Sequence, residues 1–179
     1  ILNNCTLTEN VDIDSLPIID IEYYFVQLRS KSVGEVVESR YRCNNVVNDT
    51  VYASAAYDGM RIYKYNTATN RFVSLGSLPG LSSDYNHSSF LSKDHKTLYM
   101  CIEVPNGRPI HIVDVTNIAS PTLLSTFTTN TGATPHNPYV IGNKYALVSC
   151  YQDGLYLYDV SAAGTPTISG YFDTYPQGG

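Results

Sequence analysis

The chain has no tryptophan, two methionines and four cysteines, and only 15% of its residues are charged. It lacks any apolar run near the roughly 20 residues that a membrane-spanning helix needs. Cys5, Cys43, Cys101 and Cys150 lie far apart, so the close spacing of a cysteine-based zinc centre is missing. There is no Gly-x-Ser-x-Gly elbow, no Walker-type glycine loop and no His-Glu-x-x-His pair. The Gly76–Ser83 stretch reads as a loop without phosphate-cradling spacing. The sequence therefore carries no enzyme signature and calls for no cofactor. Positive charge is also scarce, with 11 basic against 16 acidic residues and Arg40-Tyr41-Arg42 as the densest basic cluster. Nucleic acid and anionic membrane both require clustered Lys and Arg, so neither is expected as a partner.

Tyrosine is plentiful, at 16 residues. It suits β-strands, because a large apolar body ends in a polar tip that can stay wet. No helical periodicity of useful length occurs. Three Asn-x-Ser/Thr sites, at Asn4, Asn48 and Asn86, together with low charge, predict an exported protein. Cys5 and Cys43 can form a disulfide that ties down the N-terminal segment, whereas Cys101 and Cys150 are expected as thiols behaving like small hydrophobes.

The strongest signal is an internal repeat. His87–Cys101 and His136–Cys150 align without a gap, each running from His to Cys over the same 14-residue step. Each holds an apolar strand, a polar turn (Asp94-His95-Lys96 or Gly142-Asn143-Lys144) and a second apolar strand. A third strand follows at Arg108–Thr116 and Gly154–Ser161, with Asp114 over Asp159, and a fourth at Pro121–Phe127 and Pro166–Phe172. Upstream, Cys43–Val47, Val51–Tyr57, Met60–Tyr65 and Arg71–Gly76 repeat the four strands. Ile21–Leu28 and Gly34–Arg40 read as the last two strands of a degenerate fourth unit. A period near 45 with four strands per unit is the arithmetic of propeller blades. The predicted fold is thus an all-β propeller of about four blade-like units, an incomplete ring or a piece of a larger one. Residues 1–42 form the partial first unit, and the blades span 43–86, 87–135 and 136–179. Stacking buries both faces of a blade, so middle strands such as Tyr145–Cys150 and Ile110–Val115 are expected to be apolar on both sides.

Ile110–Asn117 and Leu155–Ser161, each followed by a Pro-Thr strand, resemble the LVIVD repeat. His136–Val140, Cys150–Leu155 and Gly170–Pro176 are similar to segments of choice-of-anchor B proteins, and the resemblance covers roughly residues 43–179. It implies a β-propeller in secreted or surface-attached bacterial proteins, with no established catalytic residues to carry over. Residues 1–42 match poorly, and the chain shows fewer blades than that family and no anchor.

His87 and His136 occupy equivalent positions on adjacent blades and are expected at the mouth of the central channel. Two imidazoles there can bind a metal or an anionic ligand, although Arg42 holds the same place in the earlier unit. The candidate ligand-binding set is Asp84, Tyr85, His87, His136 and Asn137. Asp114 and Asp159 are expected to accept N–H bonds from the turn that follows, and Asp58-Gly59 and Asp153-Gly154 to form hairpin turns. His111, mid-strand, is expected at a blade interface, and His95 in an exposed turn. Two functions follow. One is a non-enzymatic interaction module, exported or at the cell surface, that joins a protein partner or a larger assembly, including copies of itself. The alternative is a metal-dependent hydrolase or lyase at the channel mouth, with His87, His136 and a third ligand such as Asp84.

Overall fold

The computed structural model describes residues 29–32, 35–38, 42–66, 68–69, 71–80, 83–128, 132–162, 164–174 and 176. The expected strand at Ile21–Leu28, the Asn4 sequon, the Cys5–Cys43 disulfide and the Arg42 side chain fall outside what is described. Strands β1 (Arg29–Ser32) and β2 (Glu35–Glu38) form a two-stranded antiparallel pair.

Three four-stranded antiparallel sheets follow, each a meander in which neighbours in sequence are neighbours in space. Blade one comprises β3 (Arg42–Val47), β4 (Thr50–Ser54), β5 (Met60–Asn66) and β6 (Arg71–Leu78). Blade two comprises β7 (Tyr85–Leu91), β8 (Thr97–Val104), β9 (Ile110–Asp114) and β10 (Thr122–Phe127). Blade three comprises β11 (Asn137–Ile141), β12 (Tyr145–Ser149), β13 (Leu155–Asp159) and β14 (Thr167–Phe172). The first strands adjoin, β3 packing on β7 and β7 on β11, which is the propeller arrangement with innermost strands together. In every blade the pairing of third and fourth strands slips once, at Ile62/Tyr63, Leu123/Ser125 and Leu157/Tyr158. Such a bulge sharpens the twist of the outer strand, and its recurrence marks the three sheets as one repeated unit. No helix among the described residues is long and apolar enough to cross a membrane.

Alternating side chains of blade two supply both seams. Tyr99, Cys101, Ile110 and Ile112 pack with Val148 and Tyr158 of blade three. Leu98, Met100, Ile102 and Val113 pack with Met60 and Ile62 of blade one. Because strand side chains alternate between faces, a strand buried on both must be apolar throughout, as the run Thr97–Val104 nearly is. Each aliphatic side chain so buried contributes about 1.5–3 kcal/mol.

The inner edges are sewn by polar side chains. The Asn45 amide of β3 donates to Ser89 O (3.0 Å) and accepts from Leu91 N–H (2.8 Å), completing the unpaired edge of β7. Asn86 donates from Nδ2 to Gly59 O at 2.8 Å and from its backbone N–H to Ala56 O at 3.1 Å. Asn86 is 1% exposed, so the Asn86-His87-Ser88 sequon is closed to glycosylation in the folded chain, whereas Asn48 lies in an exposed turn.

The expected turns form. Thr116 and Ser161 donate both backbone N–H and hydroxyl to Asp114 and Asp159, at 2.5–2.9 Å. Gly59 (φ +79°) and Gly154 (φ +85°) turn the chain into the third strand, and at each a Cβ would sit 2.3 Å from a carbonyl of the fourth strand's end, Leu78 O or Phe172 O. Only glycine fits both the sign of φ and the space.

Two expectations are corrected. The ungapped alignment slips by one residue after the first turn, since Ser88 pairs with Cys101 but Asn137 with Ser149. The turn of blade two is longer: Ser92 Oγ accepts from Thr97 N–H and donates to Asp94 there, and His95 adopts φ 60°, while Gly142 (φ 64°) shortens the turn of blade three. Tyr145–Cys150 is not buried on both sides. Residues of β11, β12 and β13 alternate between buried and more exposed, because only one face of blade three meets blade two.

Candidate functional site

The repeat brings four side chains from two blades to one end of the seam between them. His87 lies on β7, where register shifts on both sides of Asn86 bulge the strand and re-aim its side chains, and it is 4% exposed. His136 precedes β11; its N–H donates to Ser149 O at 2.8 Å, and its carbonyl accepts from Ser88 Oγ across the seam. The two rings therefore meet, with centroids 3.9 Å apart and planes inclined at 39°.

Glu103, near the end of β8, joins them. His87 Nδ1 is 2.6 Å from Glu103 Oε2, and His136 Nε2 is 3.6 Å from Oε1. The Tyr151 hydroxyl donates to the same Oε1, and the Tyr151 ring lies edge-on to His136 at 4.5 Å. Tyr151 holds φ 49°, a left-handed conformation that a bulky side chain adopts only when its surroundings impose it. Asn137 Nδ2 lies 2.7 Å from His136 Nδ1.

Of the residues singled out from sequence, His87, His136 and Asn137 thus come together. Tyr85 is adjacent, 6.5 Å from the His87 ring and edge-on to Tyr57 at 5.2 Å. Asp84 does not join them and is not the third ligand. It is buried in the other seam, with Arg108 Nη2 at 2.8 Å and His111 Nε2 at 4.0 Å. With Gly59, Pro79, Asn86 and His111 it lines a cavity of about 250 Å³ between blades one and two. Burial holds the His111 pKa below the usual 6.5 and the Arg108 charge assists, against the pull of Asp84. His111 is accordingly neutral at pH 7, the blade-interface histidine expected of it.

Glu103 and Tyr151 were missed by sequence reasoning, and the signal lay in the corrected register. With Cys101 over Ser149, Glu103 falls on Tyr151. The cluster is therefore two pairs of equivalent positions, one at the start of the first strand and one at the end of the second.

A family described as "T4 bacteriophage base plate protein" matches residues 1–104. The chain belongs to that family. The base plate match takes in blade one and the first two strands of blade two, so it includes His87 and Glu103 and stops short of His136 and Tyr151. No curated protein matches the chain in sequence. Among solved structures, the Cps50 (Swd1) β-propeller domain of Myceliophteria thermophila is similar at a TM-score of 0.48 and 12% identity, over 73% of this chain and 38% of that one. The chain spans well under half the length of that domain.

Proposed function

We propose that this base plate family protein is a structural, non-catalytic module that docks on other protein subunits of a larger assembly through the outer face of blade three. The observation that carries this reading is the composition of that face. Residues opposite one another on adjacent strands share a face, so the register places Tyr139, Ile141, Leu147, Leu155, Leu157 and Phe172 together, on the face opposite the buried Ala146, Val148, Tyr156 and Tyr158, with Tyr139 at its inner edge against Phe90 of blade two, ring centroids 4.9 Å apart. Tyr139, Ile141 and Phe172 are 57%, 48% and 67% exposed. Contiguous apolar surface of this kind, on a sheet whose other face packs on blade two, is what a protein partner covers. The same six positions seen from the side have the form of a blade seam, so the partner fits best if it offers a β-sheet face.

The test is Leu157→Glu in the full chain. The variant is expected to fold, because Leu157 is only partly buried and lies on the face that blade two does not cover, and to be missing from assembled base plates in which the wild-type chain is found in fixed copy number by quantitative mass spectrometry. Incorporation of Leu157→Glu at the wild-type level would overturn the reading.

The LVIVD-like third strands favour a related reading, a propeller displayed outside a bacterial cell. The support is that Ile110–Asp114 and Leu155–Asp159 end in the same Asp-bonded turn. Antibody labelling of intact cells and of released particles separates the two: surface label without particle label favours the displayed protein.

A further inference from the structure

We propose that His87, Glu103 and His136 form a binding site for one divalent late first-row metal ion, best matched by Zn²⁺, that clamps blade two to blade three. This inference is independent of the docking face and stands or falls separately from it.

The donor set is the first argument. Two imidazoles and a carboxylate offer three ligand atoms that all lie within 4.8 Å of one another. A tetrahedral zinc with bonds of about 2.0–2.1 Å holds its ligands about 3.3 Å apart. His136 Nε2 is 3.6 Å from Oε1 of Glu103 and His87 Nδ1 is 2.6 Å from Oε2, so each imidazole already faces one carboxylate oxygen, and a small turn of the carboxylate and the rings brings one oxygen and both nitrogens to that spacing. Imidazole with carboxylate selects zinc and its neighbours over calcium or magnesium, which take oxygen ligands.

The surroundings are the second argument. Metal-bound histidines almost always give their other ring N–H to a fixed acceptor. His136 has such a neighbour in Asn137, 2.7 Å from Nδ1. Turning the Asn137 amide over presents Oδ1 to Nδ1–H and makes Nε2, the atom facing Glu103, the one that binds the ion. Tyr151, at φ 49°, fixes the carboxylate by donating its hydroxyl to Oε1. Asn137 and Tyr151 are positioning residues. The carboxylate and the His136 ring are each about one-fifth exposed, so an ion can enter from solvent, while His87 at the back is buried.

The third argument is placement. The ligands come from β7, β8 and the residue before β11, so one ion would bridge the two blades at their inner edge. It would join segments 49 residues apart in sequence, His87 and His136.

The full chain, stripped with chelator and re-equilibrated with Zn²⁺ alone, is expected to retain one zinc per chain by elemental analysis. Its melting temperature is expected to rise by about 5–10 °C at a hundredfold excess over Kd. Glu103→Gln and His136→Ala, both at accessible positions that leave the packed seam intact, should weaken zinc more than about 100-fold and abolish the rise. Asn137→Ala should weaken it about tenfold, and Asn137→Asp, which restores an acceptor for Nδ1–H, should recover it. With Co²⁺ in place of zinc, visible absorption of tetrahedral intensity should appear in the wild type and vanish in Glu103→Gln. Failure of the wild type to retain zinc, or unchanged affinity in both ligand variants, would overturn the site.

Discussion

Replacing Asn45 by alanine probes the stitching of blade one to blade two at a single side chain. Asn45 is 8% exposed, and its amide reaches the neighbouring sheet with both ends, donating to Ser89 O and accepting from Leu91 N–H. Ser89 and Leu91 are 0% and 5% exposed, so water cannot reach the two groups easily once the amide is gone. A buried backbone group left without a partner costs about 1–3 kcal/mol. Two such groups therefore give a loss of about 2–6 kcal/mol, a large fraction of the 5–15 kcal/mol that holds a domain folded. At about 2–4 °C per kcal/mol, the melting temperature should fall by about 4–24 °C. Urea denaturation followed by tyrosine fluorescence measures the change directly, with Asn66→Ala as a control. Asn66 bonds only the exposed turn residues Ala68 and Thr69, so its removal should cost about 1 kcal/mol or less. A loss below 0.5 kcal/mol for Asn45→Ala, or one no greater than that of Asn66→Ala (both far under the roughly 2 kcal/mol expected), would refute the reasoning.

Four further outcomes follow from the same structure. Hydrogen bonds from Ser92, Thr116 and Ser161 hold Asp94, Asp114 and Asp159 below the usual aspartate pKa of 3.8. Their contribution to stability is complete above that value and is lost as the pH falls through the lowered folded-state pKa values; carboxyl-carbon NMR titration should show all three midpoints below 3.8. The Tyr158 hydroxyl is buried with no hydrogen-bond partner among the described residues, so Tyr158→Phe should stabilise the chain by about 1 kcal/mol in thermal denaturation, and a clear loss would contradict this. Burial pushes Tyr99 up to about 12 and raises Tyr158 as well, so ultraviolet titration of the folded chain should leave both un-ionised at pH 11 or so. Burial, with Cys150 nearby, also raises the Cys101 thiol well above its usual value; peptides carrying the buried Cys101 and Cys150 should escape iodoacetamide until the chain is unfolded.

The order of strands was legible because a blade is a local object. Its four strands are consecutive, and their ends are written in residues with few other uses, such as Gly59, Gly154 and the Asp–Thr/Ser turns at Asp114 and Asp159. The pairing of His87 with His136 was legible for the same reason, since equivalent positions of adjacent blades are neighbours. Register within the repeat was less so. One extra residue in a polar turn changes no apolar pattern, and only the observed pairing of Asn137 with Ser149 reveals it. That single residue hid Glu103, which aligns with Tyr151 once the turn is corrected. Asp84 was the wrong third partner because it is near His87 in the chain but faces the opposite seam, where Arg108 holds it. The side of blade three that the described residues leave uncovered was also invisible: Leu147, Leu155 and Leu157 look like core residues, and nothing in their identity says which side of a sheet is covered.

The claim on which the rest depends is that adjacent blades bring His87 and His136 into contact through their innermost strands. Two-dimensional NMR of the histidine-labelled chain measures this directly. Ring centroids 3.9 Å apart require strong cross-relaxation between the two imidazoles, lost in His136→Ala. Absence of any cross-peak between them in the folded wild type would contradict the blade packing and the site built on it.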